Sequence, residues 1–124
     1  MLTAYDLVAF VFTSDAARAK TFYEKTLGLT FVSQDESTVV FDAHGTQLRL
    51  VIMAEHTPTE HPVVGLNVPD IAVAAADLVS AGVTFETYPY LEQDELGIWH
   101  APDGGVKLAF FKDPDGNVLS IAQH

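Results

Sequence analysis

Leu27-Gly28-Leu29-Thr30-Phe31 and Ala81-Gly82-Val83-Thr84-Phe85 are two copies of one pattern: an apolar residue, a glycine, an aliphatic residue, a threonine and a phenylalanine. Each follows a stretch with helical spacing. Before the first, Ala16, Ala19, Phe22, Tyr23, Thr26 and Leu27 recur at that spacing after Thr13-Ser14-Asp15, which supplies a helix N-cap. Before the second, Ile71, Ala74, Ala75, Leu78 and Val79 do the same after Pro69-Asp70. A glycine at a helix exit takes the left-handed conformation that ends the helix and releases the chain into a strand. Both copies therefore predict a helix, a stop and a strand.

Working outward, the first helix lies between an apolar run, Leu7–Phe12, and three strand-like segments, Thr30–Val32, Thr38–Asp42 and Gln47–Met53. The second lies between Val63–Val68 and the segments Val83–Tyr88, Val106–Lys112 and Val118–Gln123. The closing hairpins also repeat, Gly45-Thr46-Gln47-Leu48-Arg49-Leu50 aligning with Gly116-Asn117-Val118-Leu119-Ser120-Ile121. The chain is expected to be an α+β domain of two βαβββ modules, 1–53 and 63–124, joined by the polar linker 54–62. The second copy carries an insertion, Tyr90–Gly105. In such a module the helix covers one sheet face and leaves the other open, so two modules are expected to pair around a concave sheet cavity suited to a ligand.

Composition narrows the function. In 124 residues, seventeen acids against six bases give a net charge of −11, which repels phosphate backbones and anionic lipid, so no nucleic-acid or membrane partner is expected. The absence of cysteine removes disulfides, thiolate nucleophiles and cysteine metal sites. No apolar run reaches spanning length and Met1–Asp6 lacks a basic, cleavable start, so a cytoplasmic location is expected. There is no phosphate loop, dinucleotide fingerprint or Ser-His-Asp order, and no cofactor is expected.

The duplicated pattern resembles the vicinal oxygen chelate superfamily, which includes glyoxalase I, bleomycin-binding proteins, fosfomycin-resistance enzymes and extradiol dioxygenases. The matching signatures are Thr13-Ser14-Asp15, Phe22-Tyr23, Leu27-Gly28-Leu29, Val68-Pro69-Asp70 and Phe111-Lys112-Asp113-Pro114-Asp115-Gly116-Asn117. The resemblance implies four metal-ligand positions, on the first and last strand of each module. Carried over, they fall on Val8, Arg49, Val63 and Ser120. None is a usual metal ligand, and the arginine would repel a cation. No metal site is expected.

Alternation along Gln47–Met53 sends Leu48, Leu50 and Ile52 to the helix side, and Gln47, Arg49 and Val51 to the other face. Arg49 is the only arginine outside the first helix. It either holds a carboxylate, phosphate or enolate with its planar fork, or pairs with an acid at an interface. Phe10 and Phe12 form aromatic wall or simple core. Asn67 and Ser120 offer hydrogen bonds. Trp99 and His100, with Tyr88 and Tyr90 before them, form a stacking and titratable lid, or Trp99 plugs the open end of the second module. His56 and His61 fall in the linker, where no helical register aims them. The expected function is metal-free binding of a planar or anionic small molecule by Arg49, Phe10, Phe12, Gln47, Asn67, Trp99, His100 and Ser120. The alternative is a glyoxalase-like lyase or isomerase, metal-independent or with a non-standard metal site, in which Arg49 stabilises a developing oxyanion and His100 is the base. A homodimer is expected, because assembly would cover apolar sheet surface.

Overall fold

Asp15 starts the first helix as an N-cap, its carboxylate accepting the Arg18 N–H at 3.1 Å. Asp70 does the same for the second, accepting the Val73 N–H at 3.2 Å. The computed structural model describes all residues, 1–124, and divides the chain into two units, Met1–Thr57 and Pro58–His124. Each contains one four-stranded mixed sheet.

In the first unit, β1 (Val8–Thr13) leads to α1 (Ala16–Thr21), then β2 (Thr30–Gln34), β3 (Thr38–Ala43) and β4 (Thr46–Ile52). The sheet order is β1-β4-β3-β2, with β1 parallel to β4 and the hairpins antiparallel. The helix does not stop at Thr21. It widens into a π turn over Phe22–Thr26, in which the Leu27 N–H reaches back five residues to Phe22 O at 3.0 Å. Gly28 then takes φ +76°, and the Leu29 N–H closes on Tyr23 O at 3.0 Å. The core lies between helix and sheet, where Tyr23, Val39, Phe41 and Leu50 are fully buried. The Tyr23 and Phe31 rings pack against Phe41 at 5.9 and 6.0 Å. Burying side chains of this size contributes about 1.5–3 kcal/mol each, which commits that face of the sheet to the helix.

The second unit repeats the plan. β5 (Pro62–Asn67), α2 (Ile71–Ser80), β6 (Trp99–His100), β7 (Lys107–Lys112) and β8 (Val118–Gln123) form a sheet of order β5-β8-β7-β6, with β5 parallel to β8. Ile71 and Ala75 of α2 are buried, as are Ala109, Phe111, Leu119 and Ile121 of the sheet. Gln123 ties the end of β8 to the start of α2, accepting the Ile71 N–H at 2.9 Å. Asp113 organises the β7–β8 turn: Oδ1 accepts the N–H groups of Asp115 and Asn117, and Oδ2 the Asn117 side-chain amide, each at 2.9 Å.

One expected strand is absent. Val83–Tyr88 makes only a bridge, Phe85 to Phe111, and one further bond from the Glu86 N–H to Phe110 O at 2.7 Å. The Tyr88 N–H is then taken by the Gln93 side chain at 2.8 Å, and the chain leaves the sheet. The fourth strand comes instead from the insertion, as β6, pairing Trp99 with Leu108 and His100 with Lys107. The plug of the core also differs by one residue. Ile98 is buried at 2% exposure, whereas Trp99 is half-buried.

Candidate functional site: the open sheet faces

Because neighbouring strands align side chains across a sheet, the register decides which residues share a face. In the first unit Val8, Phe10 and Phe12 pair with Gln47, Arg49 and Val51. All six lie on the face turned away from α1. The two faces differ sharply in burial: Leu48 and Leu50 are at 3% and 0% exposure, Phe10 and Phe12 at 58% and 38%. The expected residues Phe10, Phe12, Gln47 and Arg49 thus stand together on an accessible apolar surface. The ring of His56 packs 5.3 Å from that of Phe12, so this linker histidine belongs to the same edge.

Arg49 is held by its strand neighbour, its Nε donating to Gln47 Oε1 at 2.9 Å. The ion pairs between lysines and acids use other cations: Lys20 and Lys25 pair with Glu24 in the first unit, and Lys112 with Glu86 in the second. No acid of the chain pairs with the Arg49 guanidinium. Asp35 feels its charge only as a minor effect, since the Ser37 and Thr38 backbone N–H groups are the larger causes holding that carboxyl below its ordinary value. The outer guanidinium nitrogens therefore remain available on an apolar face, where an arginine fork suits a planar anion.

In the second unit Gly65 pairs with Ser120 and Asn67 with Ala122, while Phe110 pairs with Ser120 and Trp99 with Leu108. These residues, with Lys112, share the sheet face turned away from α2, on which Asn67 and Lys112 are exposed and Ala122 is buried. The two units share one plan, Gly65 beside Ser120 standing where the first unit has Phe10 beside Arg49. A side chain at position 65 would meet Ser120 Oγ at 3.1 Å, so glycine here permits close approach to that hydroxyl.

His100 is the exception among the expected ligand residues. Its pairing with Lys107 places it on the opposite side of β6 from Trp99, so it does not join Trp99, Phe110 and Ser120. Its Nε2 instead meets Asp94 Oδ2 at 2.9 Å. Burial works against the charge on Asp94. The bonds from His100, Ile98 and Leu96 outweigh it and hold this carboxyl below its ordinary value. The His100–Asp94 pair fastens the insertion and leaves the open face without a base from His100.

Sequence reasoning missed Phe110 and Gln93. Alternation along Lys107–Lys112 was the available signal for Phe110, since it separates Leu108, Phe110 and Lys112 from the buried Ala109 and Phe111. Gln93 gave none. Its amide donates to Glu86 O at 3.0 Å and Gly97 O at 2.9 Å, and its Oε1 holds Tyr88, so it clamps the loop at three points. Tyr88 stacks near Tyr90 at 5.5 Å and meets Phe110 edge-on at 5.7 Å. Burial first, then the Glu86 charge, pushes the Tyr88 phenol up and keeps it neutral.

Two βαβββ units with open, partly aromatic sheet faces define a class of protein. The chain belongs to the Glyoxalase/Bleomycin resistance protein/Dioxygenase superfamily, which matches residues 5–121. It is similar over its whole length to a member of that superfamily from Sphaerobacter thermophilus, at 27% identity and a TM-score of 0.74, with 100% of both chains covered. It is also similar to TnmS3, an antibiotic binding protein from a Streptomyces species, at 25% identity and a TM-score of 0.74, covering 99% of this chain and 98% of that one. The glyoxalase family protein of Enterococcus faecalis shares the fold at 18% identity, with a TM-score of 0.77 and 98% and 99% of the two chains covered. No curated protein matches the chain in sequence. The metal positions of the superfamily do not fit a cation here, since Val8 and Val63 have no donor atom and Arg49 carries a positive charge.

Proposed function

We propose that the protein binds a planar, anionic small molecule without a metal, Arg49 anchoring its negative group while Phe10 and Phe12 contact its ring. One observation carries this reading: a guanidinium unpaired with any acid of its own chain stands beside accessible phenylalanines of the neighbouring strand, on the sheet face turned away from the helix. The similarity to an antibiotic binding protein supports a sequestering role. Gln47 fixes the guanidinium. The second unit carries polar and stacking groups of its own, Asn67, Ser120 and Trp99, on one face of its sheet.

We also infer a cytoplasmic homodimer, in which a second copy covers exposed apolar residues of the open faces. The experiment for the binding role is a thermal-shift screen of planar aromatic carboxylates against the wild type and Arg49→Leu. Ligand-dependent stabilisation of the wild type that the variant loses supports the reading. Equal stabilisation of both overturns it.

A further inference from the structure

The second unit carries a cavity of about 330 Å³ whose walls include Tyr88, Tyr90, Leu91 and Phe110, with Glu60 and His61 also lining it. Pockets of about 300 Å³ and above hold small ligands. Three of the walls are aromatic, and their rings are already gathered around Tyr88, at 5.5 Å from Tyr90 and 5.7 Å from Phe110. Tyr88 is held from behind, because its backbone N–H is bound by Gln93 and the neighbouring Glu86 backbone is bound to both Gln93 and β7. No lysine or arginine lines the cavity, and Glu60 brings its only carboxylate. Lys112, the cation on the same strand as Phe110, is occupied by Glu86 at 3.5 Å.

The chemistry of this lining is opposite to that around Arg49. Aromatic faces carry negative potential and attract a cation, most strongly when it is partly desolvated. A carboxylate beside them adds to that preference. A neutral apolar ligand would gain from the rings alone, and an anion would be repelled by Glu60. We propose that this cavity is a binding site for an organic cation, an alkyl- or arylammonium group, with its apolar part against Tyr88, Tyr90 and Phe110 and its charge toward Glu60. The site stands on residues of the second unit alone and is independent of Arg49.

The test compares two molecules of the same shape, para-(trimethylammonio)phenol and para-tert-butylphenol, by calorimetry at pH 7, where both phenols keep their protons. The cation is expected to bind about fivefold to tenfold more tightly than its neutral counterpart. Glu60→Gln should remove most of that preference while leaving the neutral molecule's affinity in place. Tyr90→Ala should weaken the cation several-fold; Tyr90 is 78% exposed, so the fold should survive its loss. Arg49→Leu should change neither, which separates this site from the anion site. Equal binding of the two phenols, absence of binding by the cation, or a preference unaltered in Glu60→Gln would each overturn the proposal.

Discussion

Arg49 and Asp113 show what single side chains do in this chain. Arg49→Leu should keep the melting temperature, because the arginine's one bond in the chain is to Gln47 and its neighbours along the strand are leucines. It should weaken an anionic ligand by about 1.5–3 kcal/mol, the usual worth of a hydrogen bond to a charged group. Melting temperature and ligand affinity measured side by side check this; lost stability with unchanged affinity would make Arg49 structural. Asp113 is the contrasting case, at 5% exposure with three donors converging on its carboxylate. Asp113→Ala strands those donors and should lower stability by about 2–4 kcal/mol, read as a lower urea midpoint with an unchanged slope.

The insertion is the element on which sequence and structure diverge most. Period-two alternation correctly separated Leu48 and Leu50 from Gln47 and Arg49, because one face of that strand is buried and the other is not. Val83–Tyr88 was read as a strand as well, yet forms none: the side chain of Gln93, invisible to any pattern of hydrophobicity, accepts the Tyr88 N–H and donates to Glu86 O. The π turn at Phe22–Thr26 was equally illegible, for helical spacing does not distinguish a five-residue from a four-residue bond. The facing of His100 was not legible, because a two-residue strand offers too little alternation to fix it. Gln93→Ala should loosen the segment from Tyr88 to Gly97, seen as faster amide exchange there while β7 and β8 stay protected. The Asp94–His100 fastening has a pH signature. A carboxyl held below its ordinary value contributes stability above about pH 4 and loses it as the pH falls through the folded value. Local exchange in this loop should therefore rise in acid, and Asp94→Asn should abolish that rise.

At the level of the whole molecule, apolar exposure asks for a partner. Val8, Phe10 and Phe12, on one strand of the first unit, are all at least 37% exposed, and clustered apolar surface of this kind marks interaction sites. Light scattering at micromolar concentration should give twice the mass of the 13.5 kDa chain. A monomer mass would leave these residues to the ligand alone. The duplicated plan was legible from the sequence because glycines mark the same junctions twice: Gly28 and Gly82 at the helix exits, Gly45 and Gly116 in the closing turns, all with positive φ.

In each unit the first strand finds its parallel neighbour in the last, Val8 with Gln47 and Pro62 with Val118. Such pairing sets an order of events during synthesis. Neither sheet can be completed until its final strand has emerged, and the loop closed at that moment spans the whole unit, which makes the step slow. The first unit can close while the second is still being made, whereas β5 must wait as an unpaired strand until β8 arrives. A nascent chain stalled before Val118 should therefore show a protease-resistant first unit and a cleavable second one. During that interval, β5 is the segment most exposed to wrong pairing.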